Sequence, residues 1–171
     1  MFVIQFIASI LTNSSALFVN IYSEGDYSFF FTDALGLIVW FIGFYIEVDS
    51  DSRLKSHLAN PKPGAGKFCR EGWWKYSRHP NYFGECVMWW GIYIIACGVA
   101  WGWVTIWSAL IITLLIRFVS GVPLGNEEKY VDHPEWQQVC AETNIFVPWF
   151  SGMKSDQPKE VLMKVLKGNE K

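Results

Sequence analysis

The feature that most constrains this chain is a run of 31 residues, positions 86–116, that contains no charged side chain. As one helix the run would extend roughly 46 Å, whereas about 20 residues suffice to cross the hydrocarbon core of a bilayer. The segment Gly98-Val-Ala-Trp-Gly102 lies near its middle and favours a tight turn. We therefore expect two membrane-spanning helices, at about residues 82–97 and 103–119.

Two further apolar segments lie upstream, at residues 34–48 and at residues 1–22. Residues 1–22 can be interpreted as a membrane span or as a signal peptide. No Lys or Arg precedes Arg53 and no small-x-small cleavage site is evident, which argues against a signal peptide. We therefore favour a membrane span. The sequence predicts an all-α fold, a multi-pass transmembrane helical bundle of about four spans.

Composition supports this class. The chain of 171 residues is 51% hydrophobic with ten Trp and only 18% charged, against roughly 25% charged in ordinary soluble domains. This balance excludes a disordered, collagenous, coiled-coil or disulfide-rich chain. The net charge of −2 gives no basic field for nucleic acid, so we expect the lipid bilayer as a partner and no nucleic acid.

The positive charges predict the orientation. Residues 53–78 carry seven Lys and Arg, whereas the connections at residues 23–32 and 98–102 carry none. Lys and Arg favour the cytosolic side, so we expect the N-terminus, residues 53–78 and the C-terminal third to lie there. This divides the chain into a first span with a non-cytosolic connection (1–32), a membrane domain (33–150) and a polar tail (151–171). The membrane would be the endoplasmic reticulum in a eukaryote and the plasma membrane in a bacterium.

The four cysteines and three histidines form no CxxC motif and show no metal-ligand spacing. Cys69 and Cys140 would face a reducing cytosol, where disulfides are rare. We therefore expect free thiols and no metal site.

The most informative stretch is residues 76–85, Tyr-Ser-Arg-His-Pro-Asn-Tyr-Phe-Gly-Glu. Pro80 suits the first position of a helix. The free N–H groups of such a helix end can hold an anion, and Arg78 and His79 stand directly before it. The pattern predicts a seat for a pyrophosphate, a carboxylate or a lipid head group. The alternative is that Arg78 and His79 are only interfacial anchors.

Asn81 and Glu85 are four residues apart and share one helical face. Glu85 would lie about one turn inside the bilayer, where an ionisable group is costly and indicates function. Its expected partner is a ligand hydroxyl or amide, or Arg78. The alternative is that Glu85 pairs with a lysine near the surface.

Charged residues also end the second and fourth predicted spans. If the second helix continues, Glu47, Asp51 and Lys55 share one face near its C-terminus, where negative charge is disfavoured. Either Lys55 compensates Asp51, or the carboxylates bind ligand hydroxyls or an adenine edge. Arg117 ends the fourth span, where a cation suits the helix dipole and snorkels readily. A phosphate-binding role is the alternative.

These residues resemble a known family. Residues 76–85, together with Trp89-Trp90-Gly91, resemble the signature of the DUF1295 branch of the steroid 5-alpha-reductase-like membrane proteins. Further similar elements run from Gly43 through Glu47 to Asp51, from Val119 to Leu124 and from Thr143 to Pro148, so the resemblance covers about residues 33–148.

The resemblance implies a multi-pass bundle that binds NADPH from the cytosolic side and reduces a carbon–carbon double bond in a hydrophobic small-molecule enone. Carried over by position, it implies a set of cofactor-binding residues and leaves the catalytic residues unassigned. The implied set is Glu47, Asp51, Asn81 and Glu85, followed by Arg78, His79, Tyr82 and Arg117.

The chain also departs from that family. Only about thirty residues precede Asp33, whereas the family has additional spans there, including the Tyr and Glu that polarise the substrate carbonyl. We therefore expect a truncated or partial chain, or one that assembles with a homologous partner. Two alternatives stay open. One is an S-adenosylmethionine-dependent methyltransferase similar to isoprenylcysteine carboxyl methyltransferases, whose related motif includes Arg-His-Pro. The other is an inactive truncated protein.

Overall fold

The computed structural model describes residues 2–23, 31–122 and 127–149 of the chain. These residues contain helices and loops and no strand, with one isolated bridge between Ser77 and Asn144. The predicted all-α class is confirmed. The α-helices are α1 (Phe2–Thr12), α2 (Ser14–Tyr22), α3 (Phe31–Ala59), α4 (Pro80–Ala96), α5 (Trp107–Leu115) and α6 (Pro134–Glu142).

Four shorter helical pieces complete the described fold. Single 3₁₀ segments cover Gly72–Lys75, Gly102–Ile106 and Glu127–Tyr130, and a π-helical turn covers Ile116–Ser120. The predicted polar tail, residues 151–171, lies outside the described residues.

Two helical stretches are long and apolar enough to cross a membrane, Phe31–Ala59 and Gly102–Ser120. Only 17% and 28% of their most apolar windows are buried, unlike the core helix of a soluble protein. Of the other predicted spans, α4 has 17 residues and the first is divided at Asn13 into α1 and α2. A bundle of about four spans therefore stays a prediction.

Two of the predicted helix boundaries agree with the structure, and one helix extends beyond its predicted end. α4 begins at Pro80, and the chain turns between Cys97 and Trp101 before the next helix begins at Gly102. Gly102 has no room for a side chain, because a Cβ there would collide with the carbonyl oxygen of Ala96. By contrast, α3 does not stop near residue 48.

α3 continues to Ala59 because its polar second half still favours a helix. Asp49 and Arg53 form an ion pair of 2.7 Å one turn apart, and the first helix-breaking residue is Pro61. Glu47, Asp51 and Lys55 therefore lie on one continuous helix, as the sequence analysis required for them to share a face.

The chain divides into two compact units. The first unit comprises Met1–Tyr45 and Gly84–Phe118. In it α3 and α4 pack closely at glycines: a Cβ on Gly36 would lie 2.6 Å from the carbonyl oxygen of Gly91. Buried hydroxyls join α1 and α2 to the segment around α5, with Ser15 Oγ 2.9 Å from Thr105 Oγ1 and Ser108 Oγ donating to the Thr12 carbonyl.

The second unit comprises Ile46–Phe83 and Val119–Lys171. Its described core is formed by three buried α6 residues, with aromatic side chains packed against them; the buried residues are Trp136, Val139 and Cys140. Ser77 ties the segment before α4 to the residues after α6, because its Oγ donates to the Phe146 carbonyl over 2.7 Å. The Arg78 backbone N–H donates to the Asn144 carbonyl over 2.8 Å.

Candidate functional site

The N-terminal end of α4 carries a buried cluster of three charged or titratable side chains. The Arg78 side chain is fully buried, and those of His79 and Glu127 are 10% and 14% exposed. Glu127 Oε1 lies 3.2 Å from Arg78 Nε and 2.8 Å from His79 Nε2. The anion position that the sequence predicted before Pro80 is therefore taken by a carboxylate of the chain itself.

Arg78 and His79 are each held by contacts that do not involve Glu127. The His79 N–H donates to Ser77 Oγ over 3.1 Å, and the His79 ring stacks on Tyr82 with centroids 5.8 Å apart. The Arg78 guanidinium lies over the Trp136 ring, 5.8 Å from its centroid, a distance at which a cation–π interaction is favourable.

This cluster lines a cavity of about 380 Å³ in the second unit. The lining comes from α3, the loop before α4, α4 itself, the 3₁₀ segment Glu127–Tyr130 and α6. It combines two Lys or Arg residues, two His, one carboxylate and five aromatic rings. The charged and aromatic members are His57, Lys67, Phe68, Trp74, Arg78, His79, Tyr82, Glu127, Tyr130 and Trp136.

Lys67 is an exposed cation of this lining. Its Nζ lies 4.8 Å from the centroid of the Tyr130 ring, and its carbonyl oxygen lies 3.3 Å from His57 Nε2. Glu135 holds this part of the loop, accepting hydrogen bonds from the Lys67 and Phe68 backbone N–H groups at 2.9 and 3.3 Å. Partial desolvation opposes ionisation of Glu135, but these two donors together with the electrostatic effect of His133 and Arg70 lower the pKa of its carboxyl.

α3 contributes polar residues next to the cavity. Asn81 lines the cavity, and its Nδ2 donates to Asp51 Oδ1 over 3.1 Å. Trp74 also lines it, and its indole N–H donates to the Ser50 carbonyl over 2.9 Å. The polar half of α3 thus holds two lining side chains in place.

Four of the predicted site residues line one cavity: Arg78, His79, Asn81 and Tyr82. Asp51 is in direct contact with Asn81, and Glu47 lies one turn before it on α3. Glu85 and Arg117 belong to the first unit, where the Arg117 guanidinium lies 4.9 Å from the Phe118 ring centroid. Their grouping with Asn81, and the cofactor-binding role of all eight residues, stay predictions.

Sequence reasoning missed most of the other lining residues. The sequence did not single out Glu127, Tyr130 or Trp136 as site residues. The sequence did contain a pattern that indicates the burial of Trp136. Trp136 and Val139 lie three residues apart in a mostly polar segment, and this spacing is typical of the inner face of a short helix.

The two cysteines of this unit are buried thiols. Burial raises the pKa of the Cys140 thiol to about 11, and it also raises the pKa of the Cys69 thiol. Both groups are protonated at neutral pH and are poor nucleophiles there.

Comparison with known proteins supplies the family. The model of the family described as "Protein of unknown function (DUF1295)" matches residues 1–143. The chain belongs to this family. It is 32% identical over 82 residues to "Steroid 5-alpha-reductase DET2" of Arabidopsis thaliana, covering 48% of this chain and 29% of that protein.

A second relative is "3-oxo-5-alpha-steroid 4-dehydrogenase 1" of Bos taurus, 30% identical over 106 residues, covering 61% of this chain and 39% of that protein. The chain thus spans about a third of the length of these curated relatives. No solved structure matches it. The family resemblance inferred from residues 33–148 is confirmed, and the chain is related to one protein named as a steroid 5-alpha-reductase and one named as a 3-oxo-5-alpha-steroid 4-dehydrogenase.

Proposed function

We propose that this chain is an NADPH-dependent membrane reductase acting on a carbon–carbon double bond of a lipid or steroid-like enone. We further propose that the cavity of the second unit binds part of the cofactor. The observation that carries the proposal is the lining itself, which combines cations with aromatic rings and a buried donor lacking an acceptor. The names of the two curated relatives support the reaction class.

The buried donor is the indole N–H of Trp136. This residue is only 8% exposed, and no acceptor within the described part of the chain lies in hydrogen-bond range of its Nε1. A buried Trp usually finds a partner for this group. Asn81 Oδ1 is likewise a buried acceptor without a donor among the described residues. Ring nitrogens, carboxamides and ribose hydroxyls of a nucleotide would supply both kinds of partner.

The cavity volume sets how much of the cofactor fits. Ligand sites usually measure about 300–1,000 Å³, and about 380 Å³ is near the lower end. The cavity therefore suits one mononucleotide half of a dinucleotide. Aromatic rings such as Phe68 and Tyr130 would stack on its base, and Lys67 at the rim would attract its phosphate.

When bound, NADPH would supply the hydride. In this proposal the chain's own residues bind and orient: Asp51 holds the amide of Asn81, and Tyr82 packs on His79. Glu47, which lies one turn before Asp51 on α3, extends the proposed cofactor set of this unit. The exposed apolar surfaces of α3 and α5 support a membrane location and a hydrophobic substrate.

Cofactor titration tests the proposal. The protein purified in detergent is titrated with NADPH while energy transfer from Trp fluorescence is recorded. Trp136→Phe should weaken NADPH binding severalfold, whereas Trp101→Phe, a change at an exposed turn residue of the first unit, should leave it unchanged. Absence of any fluorescence change at millimolar NADPH would contradict the proposal.

One observation favours a second candidate, an S-adenosylmethionine-dependent methyltransferase. Glu127 already pairs with the Arg78 guanidinium and lies within hydrogen-bond distance of His79 Nε2. A site of this kind suits a ligand that has ribose hydroxyls and no phosphate, since a carboxylate accepts hydrogen bonds from hydroxyls. Calorimetry with both cofactors distinguishes the two functions. Binding of S-adenosylmethionine without binding of NADPH would contradict the reductase function and support the methyltransferase function.

A further inference from the structure

The carboxylate of Glu127 occupies the position best suited to an anionic group of a ligand. Its Oε1 lies at the N-terminal end of α4 within 3.2 Å of two cationic or potentially cationic nitrogens. All three side chains are at most 14% exposed. A buried position of this kind favours an anion, because the Arg78 guanidinium acts on it with little screening by solvent and His79 Nε2 lies within hydrogen-bond distance.

The elements that carry the partners differ in how firmly they are held. Arg78 and His79 are fixed by their own backbone hydrogen bonds to Asn144 and Ser77, and their side chains contact aromatic rings. Glu127 is the first residue of a 3₁₀ segment of only four residues. If the carboxylate rotated away, the two cationic groups would keep their places.

The cavity contains a second sign that it takes a ligand. Trp136 lines the same cavity, and its indole N–H is buried and lacks an acceptor within the described residues. A ligand that displaced Glu127 from Arg78 would therefore also find an unused donor nearby.

We propose that Glu127 is an internal anion that a phosphate or pyrophosphate group of the ligand displaces from Arg78 and His79. The proposal that Glu127 is displaced rests on the proposed function, because the displacing group would be the pyrophosphate of the cofactor. In the exchange one anion leaves the buried Arg78 guanidinium as another arrives. Glu127 thereby lowers the affinity of the site and prevents uncompensated burial of Arg78 when the site holds no ligand.

The test compares Glu127→Gln with wild type in binding of inorganic pyrophosphate and of NADPH. The amide keeps the shape of the side chain and removes its charge, so competition for the site disappears. We expect pyrophosphate to bind at least about tenfold more tightly to the variant. We also expect the variant to melt at a lower temperature without anion and to recover more stability than wild type when pyrophosphate is added.

Glu142→Gln is the matched control. Glu142 belongs to the same unit and pairs with Arg70, but its side chain is 44% exposed and does not line the cavity. Pyrophosphate affinity should be the same in this variant as in wild type. A general effect of lowering the negative charge would instead raise affinity in both variants and would overturn the proposal.

Unchanged or weaker binding of pyrophosphate by Glu127→Gln would also overturn it, because Glu127 would then only hold Arg78 and His79 in place. The proposed function is tested separately by NADPH. If the variant binds pyrophosphate more tightly and neither protein binds NADPH, the displacement of Glu127 is supported and the proposed reductase function is contradicted. If wild type binds NADPH and the variant binds pyrophosphate no more tightly than wild type, the proposed reductase function is supported and the displacement of Glu127 is contradicted.

Discussion

Different kinds of contact stabilise the interior of each of the two units. In the first, glycines bring helix backbones together, and large apolar side chains such as Ile38 and Leu114 are more than half exposed. In the second, buried ion pairs and side-chain hydrogen bonds to backbone carbonyls join short helices and loops around a cavity. The first unit exposes many large apolar side chains, and the second surrounds its cavity with polar groups.

This difference determines which substitutions matter in each unit. Close backbone packing fails when volume is added, since a helix cannot move aside without losing its neighbour. A buried polar cluster fails when one partner is removed, since the other is left without compensation. Each unit therefore has its own most damaging class of substitution.

The largest effect is expected from removing the buried cation of the second unit. Arg78→Ala removes the buried guanidinium and leaves Glu127 with only His79 beside it, and breaking a buried ion pair costs about 3–5 kcal/mol. Arg70→Ala is the control, because its pair with Glu142 is partly exposed and contributes at most about 1 kcal/mol. Thermal unfolding in detergent measures both. Equal losses would show that burial does not distinguish the two pairs.

The next effect tests the first unit. Gly36→Leu places a side chain where a Cβ alone would lie 2.6 Å from the Gly91 carbonyl oxygen and 2.9 Å from the Ile95 nitrogen. Because these atoms belong to the backbone of α4, the helices must separate, and we expect a loss of about 3 kcal/mol. Ile38→Leu, at a 57% exposed position on the same helix, should be neutral. A fully stable Gly36→Leu protein would contradict close α3–α4 packing.

The sequence predicts the first unit better than the second. In the first unit, hydropathy and glycine placement indicate the turn at Gly98–Gly102, since these signals are local; in the second unit, Pro80 is the one comparably local signal, and it marks the start of α4. The continuation of α3 to Ala59 is less evident from hydropathy, because residues 49–59 are polar and only the absence of a breaker before Pro61 favours the helix.

The cavity could be predicted only in part, for a related reason. Arg78, His79 and Asn81 lie together in one motif next to a helix start. Glu127 is 48 residues away from His79, and nothing local in its sequence indicates which cation it meets. Pairings over such separations depend on tertiary packing, which one sequence without homologues does not reveal.

A smaller effect is expected at Ser77, the polar link of the second unit. Its buried Oγ donates to the Phe146 carbonyl and accepts from the His79 N–H, so Ser77→Ala leaves two backbone groups without a partner. The expected loss is about 1–3 kcal/mol. Ser52→Ala, on the exposed part of α3, should change stability by less than about 0.5 kcal/mol. Urea unfolding of both variants measures the difference, and indistinguishable midpoints would remove Ser77 from the polar framework.

The smallest effect concerns pH. Glu135 has a lowered pKa in the folded protein because the N–H groups of Lys67 and Phe68 donate to its carboxylate. A lowered folded-state pKa contributes stability that is present above the ordinary carboxyl pKa of 4.5 and is lost as pH falls through the folded value. Glu135→Gln should therefore be less stable than wild type at neutral pH, and the gap should close on acidification below pH 4.5.

Hydrogen exchange at the Lys67 and Phe68 amides tests the same contact directly. In wild type these amides should lose protection as the carboxylate is protonated, whereas in Glu135→Gln their exchange, corrected for intrinsic pH dependence, should not change over that range. Since both residues line the cavity, ligand affinity should fall over the same pH interval in wild type and much less in the variant. A stability gap that widened toward acid would mean that the folded state raises the pKa of Glu135, and the loop would then be held by other contacts.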